Sequence, residues 1–161
     1  MIGVRRRDGP VADEQTLVII KPDGVQRSLV GEIIGRLERR GLRIVAMELR
    51  SISRETAERH YAEHEGKPFY AGLVDYIVSG PAVILVFAGP GAIAVTRSTV
   101  GATRPAEAAP GTIRGDLGLT VGRNLIHASD GEESAARERA LFFPDGVTSY
   151  DRAIDPWILE S

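Results

Sequence analysis

The stretch Gly-Arg-Asn-Leu-Ile-His-Ala-Ser-Asp at 122 to 130 carries the side chain with the most chemistry to offer, His127. A neutral imidazole is a fair nucleophile, and an unperturbed histidine is largely in that form near neutral pH. Leu125-Ile126 reads as the buried end of a strand, and Ala128-Ser129-Asp130 followed by Glu132 and Glu133 reads as the opening of a helix. His127 is therefore expected at a strand-to-helix junction, on the rim of a sheet where ligands gather. A histidine satisfied by local hydrogen bonds would fit the same stretch, so residues elsewhere must decide between the two readings.

Lys21 is the first of these. All but two of the 20 basic residues are arginine, the exceptions being Lys21 and Lys67. Lys21 directly follows the run Thr-Leu-Val-Ile-Ile at 16 to 20 and precedes Pro22-Asp23-Gly24, where proline removes a ladder donor and Asp-Gly turns the chain. Its ammonium is expected at a strand end on the rim, either holding an anion or simply solvated. Other familiar chemistries lack their motifs. There is no G-x-x-x-x-G-K-[ST] phosphate loop, no G-x-G-x-x-G after the first strand and no nucleophile elbow for a Ser/His/Asp hydrolase. His60 and His64 have the i, i+4 spacing of a metal pair, but no carboxylate pattern completes a site.

The elements that must position these residues start with the β-branched run from Thr16, which reads as a buried strand. Val30, Ile33, Ile34 and Leu37 mark one face of a helix with Arg36, Glu38, Arg39 and Arg40 opposite and Gly41 as its stop. Val45, Met47 and Leu49 alternate with Ala46, Glu48 and Arg50, predicting a strand with one face covered. Ser53 is a candidate N-cap for a helical region in two pieces, through Tyr61 and again from Pro68 to Ser79, broken at Gly66-Lys67-Pro68. Ala82 to Phe87 predicts a central strand, and a helix runs from about Ala92 to Gly101.

The following segment holds Pro105, Pro110, Gly111, Gly115 and Gly118 without periodicity. Loops that long in a compact domain are functional or disordered. Because Thr112, Arg114 and Asp116 lead straight into the His127 stretch, a functional loop is expected. Ser129 with Glu132 makes a capping-box pattern for a last helix carrying Ala135, Arg137, Glu138 and Leu141. The tail contains the single tryptophan, Trp157, expected to pack against its own domain or a neighbouring subunit. Four strands with interspersed helices predict an α/β sandwich whose strand order the periodicity leaves open.

Composition sets the outer bounds. At 161 residues, with 43% hydrophobic and 26% charged residues, the chain is one globular domain. Residues 1 to 15 lack periodicity and are expected to form a flexible extension to a domain over 16 to 161. A net charge of −2 gives no electrostatic reason to expect nucleic-acid binding, and no apolar run is long enough to span a bilayer. With no cysteine, disulfides and thiolate metal sites are excluded, which fits a cytoplasmic location.

Four segments together resemble the nucleoside diphosphate kinases: Lys-Pro-Asp-Gly-Val at 21 to 25, Pro-Phe-Tyr-Ala-Gly-Leu-Val at 68 to 74, Gly-Thr-Ile-Arg-Gly-Asp at 111 to 116, and the nine residues from Gly122 to Asp130. The likeness runs from about Thr16 to the C-terminus, and four separated motifs in order are far more specific than any one. It implies a ferredoxin-like α/β sandwich with an antiparallel four-stranded sheet covered by helices, and a long loop that builds subunit contacts. The implied reaction transfers the γ-phosphate of a nucleoside triphosphate to a nucleoside diphosphate, ping-pong, through a phosphohistidine at His127. The implied partners are these nucleotides, with Mg2+ carried on their phosphates, and further copies of the chain as a hexamer or tetramer.

The resemblance also implies roles one residue at a time. Lys21, Arg97, Thr103 and Arg114 match phosphate-binding positions, Tyr61 matches one near the transferred phosphate, and His64 matches a phosphate contact in some members. Phe69 matches the aromatic beneath the base, with Val121 on its other side, and Asn124 joins Lys21 at the sugar hydroxyls. Ser129 and Glu138 match the pair that supports the histidine from behind. The sequence departs from the pattern at Ala128, where glycine is usual, at Arg104, where asparagine is frequent, and over Phe87-Ala88-Gly89-Pro90-Gly91. All the expected catalytic groups are present, which favours an active enzyme over a nucleotide-binding scaffold of the same fold. Nothing around Ala128 demands a positive φ, so its methyl group is expected to be harmless.

Overall fold

A computed structural model describes residues 13–160, and most of the expected N-terminal extension lies outside these. Chain order begins with β1 (Glu14–Ile20), which starts two residues before Thr16, then α1 (Pro22–Gln26), α2 (Val30–Arg39) and β2 (Arg43–Ser51). Next come α3 (Arg54–His60), a 3-10 turn over Ala62–His64, α4 (Tyr70–Ile77), β3 (Pro81–Gly89) and α5 (Ala92–Val100). The long loop holds a 3-10 turn (Pro105–Glu107) and α6 (Ile113–Leu117), followed by β4 (Ile126–Ala128), α7 (Glu132–Phe142) and a last 3-10 turn over Asp155–Trp157. The strands form one antiparallel sheet in the order β2-β3-β1-β4. This is the ferredoxin-like sandwich expected.

Both faces of the sheet are covered, which explains why β1 and β3 read as unbroken apolar runs although the sheet is antiparallel. Val18, Ile20, Val83, Leu85, Phe87, Ile126 and Ala128 pack with Ile33 and Leu37 of α2 and with Ala92 and Val100 of α5. Leu17, Ile19, Ile84 and Val86 pack on the other face with Ala57 and Tyr61, with Val74 and Ile77 of α4, and with Phe142 of α7. No helix among the described residues is long and apolar enough to cross a membrane.

Two expectations are corrected here, and a third loses one of its two alternatives. Asp23 and Gly24 do not make a simple turn but lie in α1, with Lys21 at its N-cap. Val45, Met47 and Leu49 do not share a covered face. A bulge between Ile44 and Ala46 shifts the register. Val45 is thereby buried with the α3 and α4 side, while Met47 and Leu49 stand opposite Leu85 and Val83 with 59% and 64% of their surface exposed. Trp157 does not pack on its own domain, being 88% exposed, although the tail around it is anchored to the β2 edge through Thr148 N–H to the Val45 carbonyl (2.8 Å) and Tyr150 O–H to the Ile44 carbonyl (2.6 Å).

Candidate active site

His127 lies in the middle of β4, an edge strand, and pairs with Ile19 of β1 rather than sitting beyond the strand's end. Opposed residues of an antiparallel pair share a face, so the imidazole points toward α3 and α7 with Ile19, while the flanking Ile126 and Ala128 point into the other core. An edge position leaves the ring partly open, with 24% of the side chain exposed.

Its Nε2 is 2.8 Å from Glu138 Oε2, on the inward face of α7, and the same carboxylate oxygen accepts a hydrogen bond from Ser129 Oγ at 2.9 Å. An ionised carboxylate only accepts, so Nε2 carries the ring proton and Nδ1 keeps its lone pair. Ser129 also accepts from the Leu17 N–H at 3.1 Å, which fixes it to β1. It is therefore no helix cap, a correction to the capping-box reading. The cap falls two residues later, where Ser134 Oγ accepts from the Gly131 N–H at 3.0 Å.

Cations gather beside this histidine. Lys21 Nζ donates to Asn124 Oδ1 at 2.8 Å, and Asn124 Nδ2 donates to the Thr103 carbonyl at 2.9 Å, tying strand end, loop and β4 approach together. The Arg114 guanidinium is buried and donates to the backbone carbonyls of Asn124 (3.2 Å), Gly101 (3.3 Å) and Ile126. Arg97 is exposed and its Nη1 donates to the Ala128 carbonyl at 3.4 Å. Burial, with the charge of Arg114 second, lowers the Lys21 ammonium to about 8. Burial, with Arg97 second, lowers Arg114 to about 10. The three cations thus lie near enough for Arg97 to disfavour the charge of Arg114 and Arg114 that of Lys21.

Tyr61 is buried, and burial followed by Glu138 raises its phenol to about 12. His64 Nδ1 lies 3.1 Å from Lys67 Nζ, and its ring lies 5.5 Å from that of Phe69. Phe69 and Val121 are both half-exposed apolar side chains.

Two contributors escape a reading of the sequence. Asp23 looks like a turn residue, yet its Oδ2 accepts from the Leu125 N–H at 3.0 Å while Lys21 N–H donates to the Leu125 carbonyl at 2.9 Å. Together they hold Leu125 at φ +72°, a left-handed conformation disfavoured for a leucine, immediately before β4. His60 is the other. It turns away from any pairing with His64 and sets its ring 4.7 Å from His127, edge-on at 86°.

Comparison with known proteins then decides the family. The family model described as nucleoside diphosphate kinase matches residues 14–147. The chain belongs to the nucleoside diphosphate kinase family. A nucleoside diphosphate kinase of Archaeoglobus fulgidus is 62% identical over 148 residues, covering 91% of this chain and 98% of the relative, and one of Thermomicrobium roseum is 60% identical over 147 residues, covering 91% and 99%. Among solved structures, a nucleoside diphosphate kinase from Halobacterium salinarum in complex with CDP superposes with a TM-score of 0.89 at 50% identity, covering 92% of this chain and 99% of that one. As a member of this family the chain is a phosphotransferase.

Ala128, the departure nearest His127 in the resemblance, lies in β4 directly beside it. Its Cβ joins the core on the face opposite the imidazole, and its carbonyl still accepts from Arg97. Ala128→Gly is expected to change kcat less than about tenfold, equivalent to roughly 1.4 kcal/mol in the barrier, and to destabilise the fold by about 1 kcal/mol through lost packing and added chain freedom. Steady-state kinetics beside urea unfolding checks both. A several-hundredfold rise in kcat would mean that the methyl obstructs the site.

Proposed function

We propose that the chain moves the γ-phosphate of a nucleoside triphosphate onto a nucleoside diphosphate through a phosphohistidine on His127 Nδ1. The observation that carries this reading is the chain from Ser129 through Glu138 to His127 Nε2, which leaves Nδ1 unprotonated on a strand whose neighbouring carbonyls at Ala128 and Ile126 hold the Arg97 and Arg114 cations. The Nδ1 lone pair attacks the γ-phosphorus, the bond to the β-bridging oxygen breaks, and the diphosphate leaves with that electron pair. A second diphosphate then attacks the same phosphorus with a β-oxygen and releases the imidazole. Glu138 stabilises the positive charge the ring acquires while phosphorylated, and the cations stabilise charge on the transferring oxygens.

Mg2+ belongs to this reading as a companion of the nucleotide. Among the described residues the one cluster of three His, Asp or Glu donors is His60, His127 and Glu138, and two imidazoles do not suit so hard an ion. Its chemistry, when bound, is to bridge and neutralise phosphate oxygens. Phe69 and Val121 take the base between them without hydrogen bonds to its edge, so selectivity among bases is low. Phe69→Ala is expected to raise KM for purine and pyrimidine diphosphates alike, by about 5- to 150-fold if stacking contributes 1–3 kcal/mol. Loss confined to one class would contradict base tolerance.

The lowered Lys21 predicts a pH dependence. Below about 8 the ammonium is charged and pairs with phosphate, and above that value the free enzyme loses the charge. Expected, therefore, is a fall in kcat/KM on the alkaline side, together with proton uptake on nucleotide binding near pH 8.5, because a bound polyanion raises the group again. For stability the sign is opposite. The folded state disfavours the charged form, so unfolding free energy attributable to Lys21 rises from pH 8 toward the ordinary lysine range. Calorimetry in buffers of different ionisation enthalpy reads the uptake, and Lys21→Ala should abolish it.

The reading includes a homo-oligomer, hexamer or tetramer, located in the cytoplasm. Met47 and Leu49 on the edge strand β2 and Trp157 in the tail are large apolar side chains left exposed, as surfaces that meet another copy would be. Sedimentation at micromolar concentration tests it, and a monomer would refute it. The function itself is tested by incubation with γ-labelled ATP. An acid-labile, alkali-stable label on His127 that chases into diphosphate is expected, whereas nucleotide binding without label would make the chain a scaffold.

A further inference from the structure

His60 is a second histidine at the site, with no part in the transfer chemistry above. It is 6% exposed, wedged among the rings of Tyr61 (4.6 Å), Phe142 (5.4 Å) and His127 (4.7 Å), and neither of its nitrogens has a hydrogen-bond partner among the described residues. A buried polar group left without a partner costs about 1–3 kcal/mol, and an unplaced ion is one of the standard resolutions. The geometry supplies what an ion needs. One donor atom each from His60, His127 and Glu138 lie within 4.8 Å of one another.

We propose that a His60 nitrogen, His127 Nε2 and the Glu138 carboxylate form a site for Zn2+, and that the ion switches off phosphoryl uptake by fixing the tautomer of His127. Two imidazoles and one carboxylate are the donor set that Zn2+ prefers over Mg2+ or Ca2+. With bonds of about 2.0–2.1 Å, tetrahedral donors stand roughly 3.3 Å apart, so the three close by no more than about 1.5 Å through side-chain rotation. Ser129, already bonded to the carboxylate at 2.9 Å, orients Glu138 in the way outer partners orient metal ligands.

The consequence for His127 follows from proton accounting. Without the ion, Nε2 keeps the proton and donates a hydrogen bond through it to Glu138, and Nδ1 holds the free lone pair. On binding, the Nε2 lone pair forms the bond to Zn2+ and the ring's one proton moves to Nδ1, with no net release. Nδ1 then has nothing with which to attack phosphorus. This inhibitory half rests on the phosphohistidine reading, while the binding half does not.

The test titrates ZnCl2 into metal-free protein labelled with 15N-histidine, without nucleotide, since phosphates chelate the ion. Expected are one Zn2+ per chain, a 15N shift placing the ion on His127 Nε2 with Nδ1 protonated, a shift at His60, and none at His64. His60→Phe, which keeps the ring and removes its nitrogens, and Glu138→Gln should each weaken binding by at least about tenfold. Zn2+ should also slow acylation of His127 by diethyl pyrocarbonate. Shifts at His64 in place of His60, unchanged affinity in His60→Phe, or no binding at millimolar Zn2+ would overturn the site. If Zn2+ binds the triad yet metal-free protein takes no phosphate from MgATP, the phosphohistidine reading fails and the site stands.

Discussion

His127→Ala is expected to lower phosphotransfer by at least about 10^4-fold, the scale on which removing a covalent nucleophile acts, while nucleotide still binds. Binding survives because Lys21, Arg97, Arg114 and Phe69 are anchored without it. Lys21 is held by Asn124, Arg114 by three backbone carbonyls and Arg97 by the Ala128 carbonyl, while Phe69 has its ring against that of His64. The substitution does cost some stability. Glu138 is 5% exposed and keeps only the Ser129 hydroxyl on its Oε2, so about 1–3 kcal/mol is lost to an under-partnered buried carboxylate. His127→Gln separates the two effects, since its amide can still donate to Glu138. It should regain most of the stability and none of the turnover. Retained turnover with label on another residue in either variant would displace His127 as the phosphate carrier.

What could be read from the sequence follows the length scale of each signal. The runs that became β1 and β3 are visible because packing on both faces demands continuous apolar residues, and α2 is visible because one face carries its whole apolar stripe. The bulge at Ile44 and Ala46 is invisible, since a one-residue register change leaves alternation intact on paper while sending Met47 and Leu49 to another face. Helix α6, five residues capped by Thr112 Oγ1 accepting from the Gly115 N–H at 3.0 Å, is too short to show a period.

The candidate site divides in the same way. His127 and Lys21 announce themselves at ends of apolar runs. Ser129 sits where capping and support for Glu138 both make sense, and only the fold brings Glu138, nine residues on, back over it. His60 invites a local i, i+4 pairing, yet α3 turns it inward to a residue distant in sequence. Arg114 was visible as a cation in a loop, but nothing in the sequence signals that its guanidinium is a structural staple as well.

That double role gives the second large effect. A guanidinium has five N–H donors. Three of those on Arg114 reach the carbonyls of Asn124, Gly101 and Ile126, so one N–H on each terminal nitrogen remains for phosphate. The staple joins the end of α5, where Gly101 takes φ +87°, to both sides of the strained Leu125 that delivers His127. Arg114→Ala leaves these carbonyls without their donor and is expected to destabilise the fold by about 3–5 kcal/mol, a large part of the stability of a domain this size. It should also lower kcat/KM by about 10^2- to 10^3-fold through loss of a positioned cation. Arg114→Lys tells the contributions apart. One ammonium restores the charge but cannot span three carbonyls, so activity should recover further than the urea midpoint does. Full recovery of stability in the lysine variant, or a loss below about 0.5 kcal/mol in the alanine variant, would show that the carbonyl contacts do not hold β4 and would leave Arg114 a phosphate ligand alone.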